Sequence, residues 1–342
     1  MARPRRLRSD GRVVTPASQE ISDDKPRTAA KSALIMAAKL AVSAGLIALV
    51  LSKIDLGALK DRLLAPDAAA LAATIALAAV QVVVVAWRFG RVLAALGRPI
   101  GLGEAVTINM IGLFFNQSLP STVGGDAMRI WRLVQRGASL GAAVNGVLLD
   151  RITALIGIVI LIALTLPLLF DLVEDRRPVI AFTIVLAGGI VGIVLVLSIR
   201  RAPVFLERWR VVRGVGALLG DLRRVVLQPR HSAPVLGVAV IGHLMTTAIV
   251  YGLALAYGVG VGYVECLVLV SPVVLISVVP ISIAGWGVRE GAMVAAFALV
   301  GIAATEALVV SVTFGLVSVL LGLPGGLVFL ATNGKHGTNK SN

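Results

Sequence analysis

The chain has 342 residues, of which 58% are hydrophobic and only 15% charged, with a mean hydropathy of +0.95. That composition excludes an ordinary soluble domain and marks an all-α polytopic membrane protein. The formal net charge of +14, from 32 Lys and Arg against 18 Asp and Glu, reads in so apolar a chain as basic loops and tails beside anionic lipid headgroups, and no nucleic-acid partner is expected.

Residues 1–32 are rich in Arg, Ser, Asp and Pro without apolar periodicity, and are expected to form a disordered basic cytoplasmic tail. The apolar run 33–51 is too long for the core of a cleaved leader and reads as a retained first span, with Lys39 snorkelling to the interface. A polar loop over 53–67 precedes a second span over 68–87, and Arg88, Arg91 and Arg98 place its end on the cytoplasmic side. The apolar segment 104–119 carries Asn109 and Asn116 on one helical face. It falls short of the roughly 20 residues a crossing needs, so it reads as a half-helix.

That half-helix leads into Asn116-Gln-Ser-Leu-Pro-Ser-Thr-Val-Gly-Gly-Asp-Ala-Met-Arg129, where Pro120, Gly124 and Gly125 break the apolar run. In hydrocarbon, non-helical backbone survives only where protein buries it or where it lines a watered cavity, so a functional site is expected here. The stretch from Pro280 to Glu290 has the same punctuation, with nine residues from proline to arginine in both and two glycines between, Gly285 and Gly287 in the second. Paired broken segments in the two halves of a chain point to a transporter's midplane binding site.

After the first break, Arg129, Arg132 and Arg136 fall on one stripe, which reads as a basic amphipathic interface helix; by itself the stripe favours a cytoplasmic anchor over a headgroup cradle. The next helix is expected to begin within 137–150, with Asp150 and Arg151 just before the apolar run 152–170, as a local neutralising pair or as part of the site. A mixed-charge loop over 171–177 suits the outside, a span over 179–199 returns, and the arginine-rich segment 200–230 is the clearest cytoplasmic stretch. There Phe205, Leu206, Trp209, Val212 and Leu218 suggest a helix lying on the membrane surface. Spans over 234–257 and 263–279 lead to the second break, followed by a shorter helix over 291–303 and a full span over 308–330. The expected architecture is about eight transmembrane helices with two Pro/Gly-broken elements that cross or re-enter. It makes a single domain over 33–332, with a short tail over 333–342 and both termini cytoplasmic.

Each break starts a helix whose N-terminus favours an anion, and Arg129 and Arg289 follow within a turn, offering planar guanidinium forks suited to phosphate. The candidate ligand is a phosphate-bearing lipid headgroup, anionic or zwitterionic. The candidate substrate-binding residues are Asn116, Asp126, Arg129, Arg289 and Glu290, with Asp150 and Arg151. Asp126 and Glu290 would hold the arginines in an empty site or meet a cationic part of the headgroup. Each also has a plainer role, as a helix cap or dipole partner, and the plainer role of the glycines is to permit close helix packing.

Catalytic signatures are mostly absent from the sequence. It has no phosphate loop ending in Lys-Ser/Thr and no His-Glu-x-x-His, and Gly137-Ala-Ser139-Leu-Gly141 matches a nucleophile-elbow string with neither a strand nor a histidine to support it. The single cysteine, Cys266, reads as a buried hydrophobe. His231, His243 and His336 are too scattered for a metal site, and His243, mid-span, reads as a satisfied core imidazole. No cofactor, metal or catalytic residue is expected.

Five pieces occur in a telling order: Ile54-Asp55-Leu56, Trp87-Arg88, the Asn116 to Arg129 motif, Asp150-Arg151, and the Pro280 to Glu290 motif. On these pieces the chain resembles, over about 39–332, the flippase-like family named for the transmembrane region of lysylphosphatidylglycerol synthase. The resemblance implies a multi-pass inner-membrane module that moves aminoacylated phospholipids between leaflets or serves prenyl-phosphate-linked sugar pathways. The tail of about ten residues is expected to leave no aminoacyl-transfer domain, so the substrate does not carry over. The expected function is translocation of a phosphate-bearing lipid. The alternative is a membrane subunit or scaffold of a lipid-modifying enzyme, with a separate lipid-synthesis enzyme as partner.

Overall fold

The computed structural model describes residues 56–118, 124–173, 175–198, 210–278, 282 and 284–337, with isolated positions between 37 and 52. The tail over 1–32, most of the first span with Lys39, and both break prolines, Pro120 and Pro280, lie outside the described residues. Everything described as regular structure is helical. The helices are α1 (Leu56–Leu63), α2 (Ala68–Ala95), α3 (Leu102–Ser118), α4 (Gly124–Gln135), α5 (Leu140–Leu172) and α6 (Arg176–Ser198). They continue with α7 (Arg210–Leu227), α8 (Pro229–Ala256), α9 (Tyr263–Ser277), α10 (Val288–Ala298) and α11 (Ala304–Gly337).

Helices satisfy every internal backbone group within one segment, which apolar surroundings demand. Among the described residues five are long and apolar enough to cross a membrane: α2, α5, α6, α8 and α11; α9 is apolar but only 15 residues long. Local signals set the ends. Asp67 accepts a hydrogen bond from the Ala70 amide at 2.7 Å and so caps α2, and Ser139 does the same for α5 from Ala142 at 3.4 Å.

Two boundaries differ from the sequence reading. The polar stretch 53–67 contains α1, whose Leu59 is buried. α2 continues past Arg88 to Ala95, because the Arg88 side chain has its partner inside the bundle and does not end the helix at the interface. α5 begins at Leu140, within the expected 137–150, and runs through Asp150 and Arg151 into the apolar run.

Two ends of the bundle can be told apart. At the first, Phe89 and Leu93 of α2 meet Ala143 and Val147 of α5, with Ala105 of α3 and Leu133 of α4 in the same buried cluster. At the second, the Asp67 amide donates to the Ala256 carbonyl at 2.6 Å, joining the start of α2 to the end of α8. Tyr257, Val259, Cys266, Phe297 and Ala307 are buried together there. Helix α3 therefore enters from the first end and α4 returns to it, whereas α9 enters from the second end and α10 returns there. At 1.5 Å per residue, α3 and α9 reach only about 22–26 Å, short of a hydrocarbon core of about 30 Å. The described ends that flank each broken motif, Ser118 and Gly124 in the first and Val278 and Val288 in the second, belong to short helical hairpins inserted from opposite ends.

Helix α11 links them. Arg62 reaches Glu306 at 3.1 Å near the second end, and Arg132 of α4 donates to Thr332 near the first. Between these points Gly325 and Gly326 lie against Met110 and Phe114 of α3 so closely that a Cβ on either would collide. Helix α7 packs across the first end through Leu222 and Val225, against Val92, Leu149 and Val235. Its expected surface residues Phe205, Leu206 and Trp209 lie outside the described residues.

Candidate functional site

The site begins with two glycines. A Cβ on Gly125 would strike the Gly112 carbonyl and the Asn116 side chain, and one on Gly112 would come within 2.9 Å of the Arg129 side chain. Helices α3 and α4 therefore cross almost backbone to backbone. The Asn116 Oδ1 accepts the Gly125 amide at 3.0 Å, satisfying one of the free donors at the start of α4.

This close crossing turns Arg129 inward, where only 5% of it is exposed. Its Nη2 donates to Asp150 Oδ2 at 2.7 Å, and Arg88 Nε donates to Asp150 Oδ1 at 2.9 Å. Arg151 grips Asp126 with two nitrogens, Nε and Nη2, each at 3.0 Å. The Arg129 to Asp126 approach within α4 is longer, at 3.5 Å. The guanidinium carbon of Arg129 lies 4.1 Å from the centroid of the Phe89 ring.

Three readings are corrected here. Arg88 is buried beside Asp150, so it does not mark the cytoplasmic end of its span. Arg129 does not share an exposed anchor stripe: Arg136 alone of the three is largely exposed, paired with Glu104 at 2.6 Å, while Arg132 packs on Trp131 and Phe329. Asp150 and Arg151 do not form a local neutralising pair, one of their two readings, because each finds its partner on another helix.

A cavity of about 240 Å³ opens beside this network. Arg88, Asn109, Asn116, Arg129, Asp150 and Arg151 line it, together with Gln81 and Ser318 and an apolar wall that includes Ile249 and Phe314. At 1.5 Å per residue, Asp150 lies about 15 Å along α5 from its start at the first end.

The second motif is built differently. Ala284, Gly285 and Gly287 have φ of 50°, 80° and 86°, a left-handed turn that glycine adopts without strain. Glu290 reaches back to accept the Gly287 amide at 2.5 Å, closing the start of α10. Its other oxygen accepts from Arg289 Nη2 at 2.5 Å and from Ser311 at 3.4 Å. Arg289 lies over Trp286 at 4.7 Å and is 5.7 Å from the Phe314 ring, whose other surroundings include the cavity.

The structure thus brings Asn116, Arg129, Asp150 and Arg151 to one cavity, with Asp126 behind Arg151 and Gly124 and Gly125 buried in the first turn of α4. Arg289 and Glu290 are absent from the lining and lie beyond Phe314. The sequence reading left Arg88, Asn109 and Gln81 out of the candidate set. Gln81 and Arg88 are two turns apart on α2, a polar face in an apolar span that would have shown them. His243 Nε2 donates to the Ala154 carbonyl at 2.9 Å, and Cys266 is fully buried.

The family described as the lysylphosphatidylglycerol synthase TM region matches residues 36–326. The chain belongs to this family. A search of curated proteins gives no match. The matched region of this lysylphosphatidylglycerol synthase TM-region protein takes in both hairpins and the whole cavity lining, and the chain is a multi-pass membrane protein.

Proposed function

We propose that this protein translocates a phosphate-bearing lipid, with the headgroup phosphate received by Arg88, Arg129 and Arg151 at the cavity. The observation that carries the reading is Arg129, which is buried, faces the cavity, and has an Nε without a hydrogen-bond partner. Ionisable groups at membrane depth are costly, and their usual justification is a substrate pathway. A guanidinium fork held in place by a carboxylate is preorganised for phosphate oxygens. Two hairpins entering from opposite ends supply the inverted arrangement on which alternating access is commonly built. The family's name, from a lipid-modifying synthase, supports a lipid as the cargo and a lipid-synthesis enzyme as a neighbour in the membrane.

Mass spectrometry of lipids retained by the purified chain tests the reading. Arg129→Gln leaves Asp150 paired with Arg88, and the variant is expected to lose a phosphate-bearing lipid that the wild type retains. Identical retained lipids in the two proteins would overturn the proposal.

A further inference from the structure

Charge at the cavity can be balanced residue by residue. Three guanidiniums, of Arg88, Arg129 and Arg151, face two carboxylates, of Asp126 and Asp150. Asn109, Asn116, Gln81 and Ser318 complete the polar lining and are neutral. Among the described residues one positive charge is left over in a largely apolar setting, where an uncompensated charge is strongly disfavoured.

Neither carboxylate is open to a cation. Asp150 has a side chain 2% exposed and divides its two oxygens between Arg88 and Arg129. Asp126 is outside the cavity lining, and Arg151 takes both of its oxygens.

Resting on the headgroup reading, we infer that the site selects a lipid phosphodiester with a single negative charge and no ammonium group, and rejects aminoacylated headgroups. One monoanion neutralises the cluster. A diphosphate overshoots it, and an ammonium group would stand beside three arginines with no carboxylate to meet. The inference separates this chain from the lipid in its family's name: lysylation adds positive charge to phosphatidylglycerol, and this cavity has no place for it.

The test measures binding of defined lipids to the full-length purified chain by native mass spectrometry, with phosphatidylglycerol, phosphatidylethanolamine, lysylphosphatidylglycerol and a prenyl diphosphate as probes. Phosphatidylglycerol is expected to bind at least tenfold more tightly than lysylphosphatidylglycerol, with phosphatidylethanolamine between them and the diphosphate weaker than phosphatidylglycerol. Asn109→Asp places a carboxylate of nearly the same shape at the cavity wall. It is expected to lower phosphatidylglycerol binding at least tenfold and to improve binding of the lysylated lipid. The wild-type ranking stands alone should that variant fail to fold.

Lysylphosphatidylglycerol or the diphosphate binding as tightly as phosphatidylglycerol, and in an Arg129-dependent way, would overturn the charge assignment while leaving the headgroup site in place. Displacement of phosphatidylglycerol by millimolar inorganic phosphate would assign the cavity to free phosphate and also overturn it. Binding of every probe unchanged in Arg129→Gln would remove the headgroup site itself.

Discussion

Arg129 and Asp150 meet at 2.7 Å across the α4–α5 interface, while Arg129 stays 3.5 Å from Asp126, its neighbour one turn away on its own helix. The pairing is crossed: Asp126 is taken by Arg151, the residue next to Asp150. Two adjacent residues of α5 thus clamp the first two turns of α4 through opposite charges, and the start of α4 is held in register by ion pairs as well as by the glycine crossing.

Asp150 is accordingly the member whose loss should cost most. Asp150→Asn strands two buried guanidiniums, and breaking a buried pair typically costs about 3–5 kcal/mol. Thermal unfolding in detergent should show a large drop in midpoint, with part of it recovered when Arg88→Gln is added. No recovery in the double variant would mean that Asp150 acts through something other than these charges.

Asp126 should matter less to stability. Its partner Arg151 has a side chain 41% exposed, so solvent can take over much of the pairing once Asp126→Asn removes it. The same unfolding assay should rank Asp126→Asn well above Asp150→Asn in midpoint. The reverse order would show that the clamp depends on Arg151 rather than on the shared Asp150.

Glycine requirements should divide by what stands opposite. At Gly125 an added methyl meets backbone, the Gly112 carbonyl, which cannot swing away, whereas at Gly103 it meets open space. Gly125→Ala is expected to cost at least the roughly 1–3 kcal/mol usual for overpacking, and Gly103→Ala close to nothing. Comparable folded yield and midpoint for both would contradict the backbone-to-backbone crossing.

Opposite insertion of the hairpins predicts a labelling pattern. Gly103 and Gly260 are exposed, have space for a side chain, and lie at the first and second ends of the bundle. In a Cys266→Ala background, Gly103→Cys and Gly260→Cys should react with a membrane-impermeant maleimide from opposite sides of sealed vesicles. Labelling of both from one side would refute the inverted arrangement.

Much of this was legible in the sequence because the bilayer makes punctuation costly. Pro, Gly, Asp and Arg in an apolar run had few explanations, and Asn116, Arg129, Asp150 and Arg151 do converge on one cavity. Arg88 was misread for a physical reason: an arginine near the end of an apolar segment looks like a flank until the helix is seen to continue seven residues beyond it to Ala95. The crossed pairing was also hidden, since sequence proximity favours Asp126 with Arg129 and Asp150 with Arg151, and only the α3–α4 crossing decides which faces meet. The match between the two motifs was real in position but not in chemistry. Glu290 closes a helix start on Arg289, whereas Asp126 leaves Arg129 to a distant aspartate.

The measurement that bears most directly on the account is leaflet-to-leaflet transfer of labelled phosphatidylglycerol in proteoliposomes, comparing the wild type with Arg129→Gln at equal reconstitution. The account predicts transfer by the wild type at least tenfold faster than by the variant, with membrane insertion and unfolding midpoint of the variant close to wild type. Equal transfer rates, or no transfer above protein-free vesicles by either protein, would contradict it.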